Sequence, residues 1–185
     1  MKRLFIAADL DEATRAAVGR ICAALRDATE VRVTWVHQDR LHLTLEFLGE
    51  VDPAVERRVI SALVEPISVA PFDLRFEGLW FFPPSGVPRV LWLGVAEGLD
   101  ALRLIHGDLQ RRLGRDRGAG EDFSPHLTLA RFRERAPRTR LKELADTRAS
   151  AGPCRIDRVT LYESRLSSNG PSYMALAAAL LKPCT

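Results

Sequence analysis

His42-Leu43-Thr44-Leu45 recurs letter for letter as His126-Leu127-Thr128-Leu129, nearly half a chain length further on in a protein of 185 residues. The chain has only four histidines, so a four-residue repeat that holds two of them points to internal duplication. Each copy lies in a short apolar run, residues 41–48 and 123–132, which reads as a strand. Side chains alternate along a strand, so a histidine and a threonine two apart share one face while both leucines point to the other. Each copy therefore offers an imidazole beside a hydroxyl, anchored by two buried leucines. Two such strands brought face to face would set two imidazoles and two hydroxyls around one small anionic group.

Outward from the motifs, residue periodicity predicts further strands at 2–8, 32–36, 72–82, 89–95, 155–164 and 173–181, with helices at 11–28, 53–65, 99–113 and 139–146. The polar tetrapeptide His37-Gln38-Asp39-Arg40 joins strand 32–36 to the first motif strand, which Gly49 ends. Asp52 before Pro53 has the form of a helix cap followed by proline at the first helical position, and Pro66 stops that helix. Hairpins and helices interleave without a steady strand-helix-strand rhythm. That predicts an α+β fold with largely antiparallel sheets. Each motif has a helix well upstream and another soon after, so residues 1–185 read as one domain of two interleaved lobes around a cleft, each lobe carrying one motif.

Composition narrows the class. With 46% apolar and 28% charged residues the chain reads as globular and soluble. No apolar stretch approaches the roughly 20 residues that span a bilayer. The N-terminal run meets Asp9 and Asp11 too early for a signal peptide and reads as the first strand, so a cytoplasmic location is expected. Three scattered cysteines argue against a disulfide framework and a cysteine-rich zinc site, and Cys22 falls on an apolar helical stripe. The net charge of +3 is small, but arginines gather around the second motif: Arg111, Arg112, Arg115 and Arg117 before it, and Arg131, Arg133, Arg135, Arg138 and Arg140 after it. Such a cluster suits a polyanionic substrate, with a solvated surface as its other use. Few exposed apolar runs are expected, which predicts a monomer with no obligate protein partner and no membrane attachment.

Two histidines in one cleft, with no serine or cysteine nucleophile beside them, point to concerted general acid–base catalysis. An imidazole serves either role near neutral pH, because its unperturbed pKa is about 6.5. A neutral His takes a proton from attacking water while a protonated one gives a proton to the leaving oxygen. The threonine hydroxyls donate to oxygens on which charge builds, and facing histidines suit in-line displacement at phosphorus. No HxxxH or HExxH spacing is present, so neither a metal nor another cofactor is expected. His106 falls on the apolar face of its predicted helix and reads as core-facing, and His37 as exposed. The identical motifs do not distinguish acid from base.

Paired His-x-Thr-x motifs at this separation resemble the two-histidine (2H) phosphoesterase superfamily, and within it the RNA 2′,3′-cyclic phosphodiesterases of the LigT/ThpR group, once called 2′-5′ RNA ligases. The likeness extends over Arg3-Leu4-Phe5-Ile6-Ala7, Trp35-Val36, Leu41 to Gly49, Pro88 to Val95, Pro125 to Arg131 and Leu161-Tyr162-Glu163-Ser164. It implies a bilobal α+β fold with a pseudo-two-fold axis through the cleft, and metal-independent hydrolysis of a terminal 2′,3′-cyclic phosphate to a 2′-phosphate on RNA ends or cyclic nucleotides. By the same resemblance His42 is the proton donor to the departing 3′-oxygen, His126 the proton acceptor that activates water, and Thr44 and Thr128 bind the phosphate. Reversal would join RNA ends as a 2′-5′ linkage. The alternative is a nucleotide- or RNA-binding module that keeps the fold without turnover. Arg131 is a further candidate contact, but five residues past His126 it faces away on a regular strand unless a twist or bulge intervenes. Trp35, Phe47 and Trp92 are candidate base-stacking surfaces, with core packing as the alternative use of each.

Overall fold

A computed structural model of the protein describes residues 1–28, 33–115, 123–133, 148–167 and 170–183. β1 (Lys2–Asp9) leads into α1 (Glu12–Ala28), β2 (Val33–Trp35), a short turn of 3₁₀ helix at Gln38–Arg40, and β3 (His42–Val51). Then come α2 (Pro53–Ala62), β4 (Phe72–Phe82), β5 (Val90–Glu97) and α3 (Leu99–Leu113). β6 (His126–Phe132), β7 (Ser150–Ile156), β8 (Arg158–Ser167) and β9 (Gly170–Leu180) complete the described elements. The predicted helix over 139–146 lies outside the described residues.

The strands form two antiparallel sheets, one of four strands in the order β3-β1-β8-β9 and one of five in the order β2-β6-β5-β4-β7. The fold class is thus the expected α+β with two antiparallel sheets and flanking helices. The first motif strand lies in the smaller sheet and the second in the larger. Helices back the sheets on the faces away from the motifs' polar side chains. α1 buries Val18, Cys22 and Leu25, and α3 buries Leu102, Ile105 and Leu109 against the core that also takes Leu43 and Leu127. Each such aliphatic side chain contributes roughly 1.5–3 kcal/mol by leaving water. Asp52 caps α2 as its sequence predicts, Oδ1 accepting from the N–H groups of Ala54 at 2.8 Å and Val55 at 2.9 Å. No helix of the described residues is long and apolar enough to cross a membrane.

Two local expectations are corrected. Residues 155–164 do not form one strand: the chain breaks at Asp157, so β7 joins the larger sheet and β8 the smaller. The Asp157 carbonyl accepts from Leu181 N–H at 2.7 Å, and its carboxylate from Arg158 Nε at 2.9 Å, which hold the crossing. β2 and β3, though adjacent in sequence, also belong to different sheets. And Gly49 does not end β3. Its φ of +74°, reached easily only without a Cβ, makes a bulge against β1, and the strand continues to Val51.

Candidate active site

β3 and β6 bring the two motifs to one cleft of about 890 Å³, lined by His42, Thr44, His126 and Thr128. In each motif one residue is extra. The β3 register against β1 steps from Ile6–Glu46 to Ala7–Thr44 and leaves Leu45 unmatched. The β6 register against β5 steps from Leu91–Ala130 to Trp92–Thr128 and leaves Leu129 unmatched. The bulge falls on the fourth residue of both repeats and buries two successive residues, Leu45 with Glu46 and Leu129 with Ala130. Strand alternation then resumes out of phase. Phe47 and Arg131, each five residues past its histidine, therefore emerge on the histidine's side and line the cleft. This is the bulge that the Arg131 contact requires.

The imidazoles are held alike. His42 Nδ1 lies 2.7 Å from the Arg40 carbonyl, and His126 Nδ1 lies 2.8 Å from the Ser124 carbonyl. A carbonyl only accepts, so Nδ1 carries the proton in both rings and Nε2 is left for chemistry in the cleft. Each ring also rests on aromatic walls. His42 packs on Phe5 at 4.8 Å and edge-on to Tyr173 at 5.1 Å. His126 packs edge-on to Phe82 at 5.2 Å and Trp92 at 5.4 Å.

Behind the rings the symmetry ends. The residue across from His42 on β1 is Asp9, whereas the residue across from His126 on β5 is Gly94. Asp9 accepts from Thr160 Oγ1 and from Tyr162 OH, both at 2.7 Å, which fixes the carboxylate on the first histidine's side only. Burial, with Asp9 second, pushes the Tyr162 phenol up to about 12, so it stays a donor. Burial also lowers the His42 pKa below its usual value, while the Arg40 carbonyl and the Asp9 charge oppose that shift and Arg15 adds to it.

Trp35 lines the cleft half-buried, with the Arg26 guanidinium 5.7 Å from its ring centroid. Phe47 lines it exposed, under Arg3 at 4.9 Å. Trp92, by contrast, stands behind His126 and stacks on Phe82 at 4.9 Å, so it supports the ring as packing. Of the arginine cluster, Arg131 and Arg133 reach the cleft, Arg133 Nε donating to Thr34 Oγ1 at 2.5 Å. Arg111 and Arg112 pair with Asp108, and Arg112 also donates to the carbonyls of Ala62, at the end of α2, and of Glu65 and Pro66 beyond it. Arg115 holds Glu46 at 3.0 Å. None of these three lines the cleft, and Arg117, Arg135, Arg138 and Arg140 lie outside the described residues. His37 is exposed as expected and lines the cleft mouth. His106 is only half-buried: it stacks on Phe123 at 4.2 Å and lies 3.6 Å from the buried Glu46.

Sequence reasoning missed Asp9, Tyr173 and Arg3. Asp9 and Arg3 sit on β1 and Tyr173 on β9, so only the sheet pairing carries them to the motifs. Among the described residues no three His, Cys, Asp or Glu side chains come together as a metal-ligand set.

In sequence and in overall fold the chain is similar to known proteins. The family model described as the 2′-5′ RNA ligase superfamily matches residues 10–167. A protein of Archaeoglobus fulgidus named RNA 2′,3′-cyclic phosphodiesterase is 35% identical over 181 residues, covering 94% of this chain and 97% of that protein. The apo crystal structure of Escherichia coli LigT superposes with a TM-score of 0.76 at 28% identity, covering 97% of both chains. The same protein complexed with 3′-AMP superposes with a TM-score of 0.71 at 25% identity, again over 97% of both chains.

Proposed function

The chain belongs to the 2′-5′ RNA ligase superfamily, and on that premise we propose that it is an RNA 2′,3′-cyclic phosphodiesterase working by two-histidine acid–base catalysis without a metal. The observation that carries this reading is the pair of imidazoles with Nδ1 tied to a backbone carbonyl, each beside a threonine hydroxyl in one cleft. Residues 1–185 act in it as a single domain whose two interleaved lobes each supply one motif.

His126 Nε2 takes a proton from water as the water oxygen attacks phosphorus. The bond from phosphorus to the 3′-oxygen breaks, and His42 Nε2–H delivers a proton to that oxygen. The product is a 2′-phosphomonoester with a free 3′-hydroxyl. Thr44, Thr128 and Arg131 donate to the non-bridging oxygens, where transition-state charge accumulates.

Two asymmetries support His42 as the acid. Asp9 lies on its side and favours an imidazolium, while His126 has glycine in that place. An anionic phosphate entering the cleft adds a second charge that offsets the burial penalty on His42. Phe47 follows the first motif and Arg131 the second, so the nucleoside and its departing 3′-oxygen fit the His42 side, the phosphate oxygens the Arg131 side. Reversal of the same steps would form a 2′-5′ linkage between RNA ends.

The test is turnover of a 2′,3′-cyclic mononucleotide followed by identification of the isomer formed. A 2′-monophosphate is expected. Formation of a 3′-monophosphate would overturn the assignment of the leaving oxygen, and tight binding without turnover would identify a binding module instead.

A further inference from the structure

Trp80 on β4 is 57% exposed, which is unusual for the largest apolar side chain in a folded protein. It is nevertheless held in place. Its indole lies across two glycines: Nε1 is 3.0 Å from where a Cβ on Gly94 would sit and 3.1 Å from the same point on Gly78. A Cβ at either position would crowd the indole, and at Gly94 it would also meet the Glu77 carbonyl at 2.8 Å. Trp92 stacks beside it at 6.1 Å and 26°, and Trp92 in turn packs edge-on to His126.

The sheet register fixes which side this ring is on. Trp80 pairs across strands with Trp92, and Trp92 with Thr128, so all three side chains occupy one face, the face of the second motif. Gly94, beneath the indole, is the cross-strand partner of His126. The ring therefore lies beyond the aromatic wall of His126, about two strand spacings or roughly 10 Å from the motif strand. It is outside the cleft, whose own aromatic lining is Phe5, Trp35, Phe47 and Tyr173.

A fixed, solvent-facing indole alongside a phosphodiester site has the form of a base-stacking platform, because every nucleobase offers a π face and stacking needs no particular sequence. Its place outside the cleft suits a base other than the one whose phosphate lies between the histidines. We propose that Trp80 stacks the base of the nucleotide preceding the cyclic-phosphate terminus, so that the protein reads the last two nucleotides of an RNA rather than one. The proposal rests on the RNA-end activity proposed above and adds to it a second nucleotide subsite.

The experiment compares a 2′,3′-cyclic mononucleotide with a dinucleotide ending in the same cyclic phosphate, by kcat/KM and by calorimetric binding, in the wild type, Trp80→Leu and Trp80→Phe. The wild type is expected to favour the dinucleotide. In Trp80→Leu the dinucleotide-to-mononucleotide ratio should fall about tenfold, the size of one base–aromatic stack. Trp80→Phe keeps an aromatic face and should recover most of the ratio. An unchanged ratio in Trp80→Leu overturns the subsite, as does a loss of the ratio in Trp35→Ala alone, which would send the RNA out past β2. Absence of turnover in the wild type counts against the activity reading only, since the binding ratio still decides the role of Trp80.

Discussion

Phe47 and Arg131 occupy equivalent places in the two halves of the cleft: each stands five residues past its motif histidine and is turned inward by a bulge at the fourth residue of the repeat. Duplicated scaffolding thus ends in two unlike groups, an aromatic ring and a guanidinium. That difference gives a nearly symmetric site a direction. Arg131→Ala removes a charged donor to the phosphate, worth about 1.5–3 kcal/mol, and should lower kcat/KM by roughly ten- to a hundredfold. Phe47→Ala should weaken binding of a cyclic nucleotide while leaving affinity for inorganic phosphate unchanged. Calorimetry with the two ligands separates these effects, and equal losses for both in Phe47→Ala would remove Phe47 from the nucleoside side.

Replacing either imidazole tests the chemistry directly. His42→Ala and His126→Ala should each slow turnover at least a hundredfold, the usual contribution of a general acid or base. Product affinity should persist in both, because Thr44, Thr128 and Arg131 remain. Steady-state rates and product binding, measured on the same preparations, check the two halves of this expectation. Treatment with EDTA should leave the wild-type rate unchanged. Activity lost to the chelator and restored by zinc or magnesium would point to metal-assisted attack instead.

How far the sequence predicts this site depends on the range over which each feature is determined. The motif strands, their inward-facing histidine and threonine pairs, the cap at Asp52 and the span of α3 all follow from local patterning. The bulges do not. Leu45-Glu46 reads as apolar then polar, so Glu46 looks outward-facing. It is buried where Gln110, in the last turn of α3, and Arg115, just past its end, meet its carboxylate. The break at Asp157 left a local trace, two charged residues in succession at Asp157-Arg158 within an otherwise alternating run, but the change of sheet that accompanies it is set by long-range pairing. Asp9 was legible only as a charged residue at the end of an apolar strand, since its neighbour His42 is supplied by the β1–β3 register.

Stability should respond to pH through His42. Burial lowers its folded pKa below that of the unfolded chain. Above about pH 6.5 the group is neutral in both states and adds no pH dependence. As pH falls below that value the unfolded chain takes up the proton more readily, so its share of the stability is lost on acidification. Denaturant melts between pH 8 and 5 should show a steeper decline for the wild type than for His42→Gln. Parallel curves would mean that the ring is as solvated as in the unfolded chain.

Asp9→Asn tests the direction of proton flow. The carboxylate raises the His42 pKa, and its removal leaves burial and the Arg15 charge to lower it further. If His42 is the acid, it must be protonated to act, so the limb of the pH–rate profile on which activity falls with rising pH reports its pKa. That limb should move to lower pH in Asp9→Asn, and the rate near neutrality should drop while the KM for the substrate changes little. If His42 were instead the base, it must be neutral to act. The substitution would then move the acidic limb to lower pH and leave the alkaline limb in place. Asparagine keeps one acceptor oxygen for one of the Thr160 and Tyr162 hydroxyls, and its amide N–H can donate to the other, so the β1–β8 contact can be kept while the charge is removed. Profiles of wild type and Asp9→Asn across the histidine range decide between the two assignments, and two superimposable profiles would show that Asp9 acts on neither.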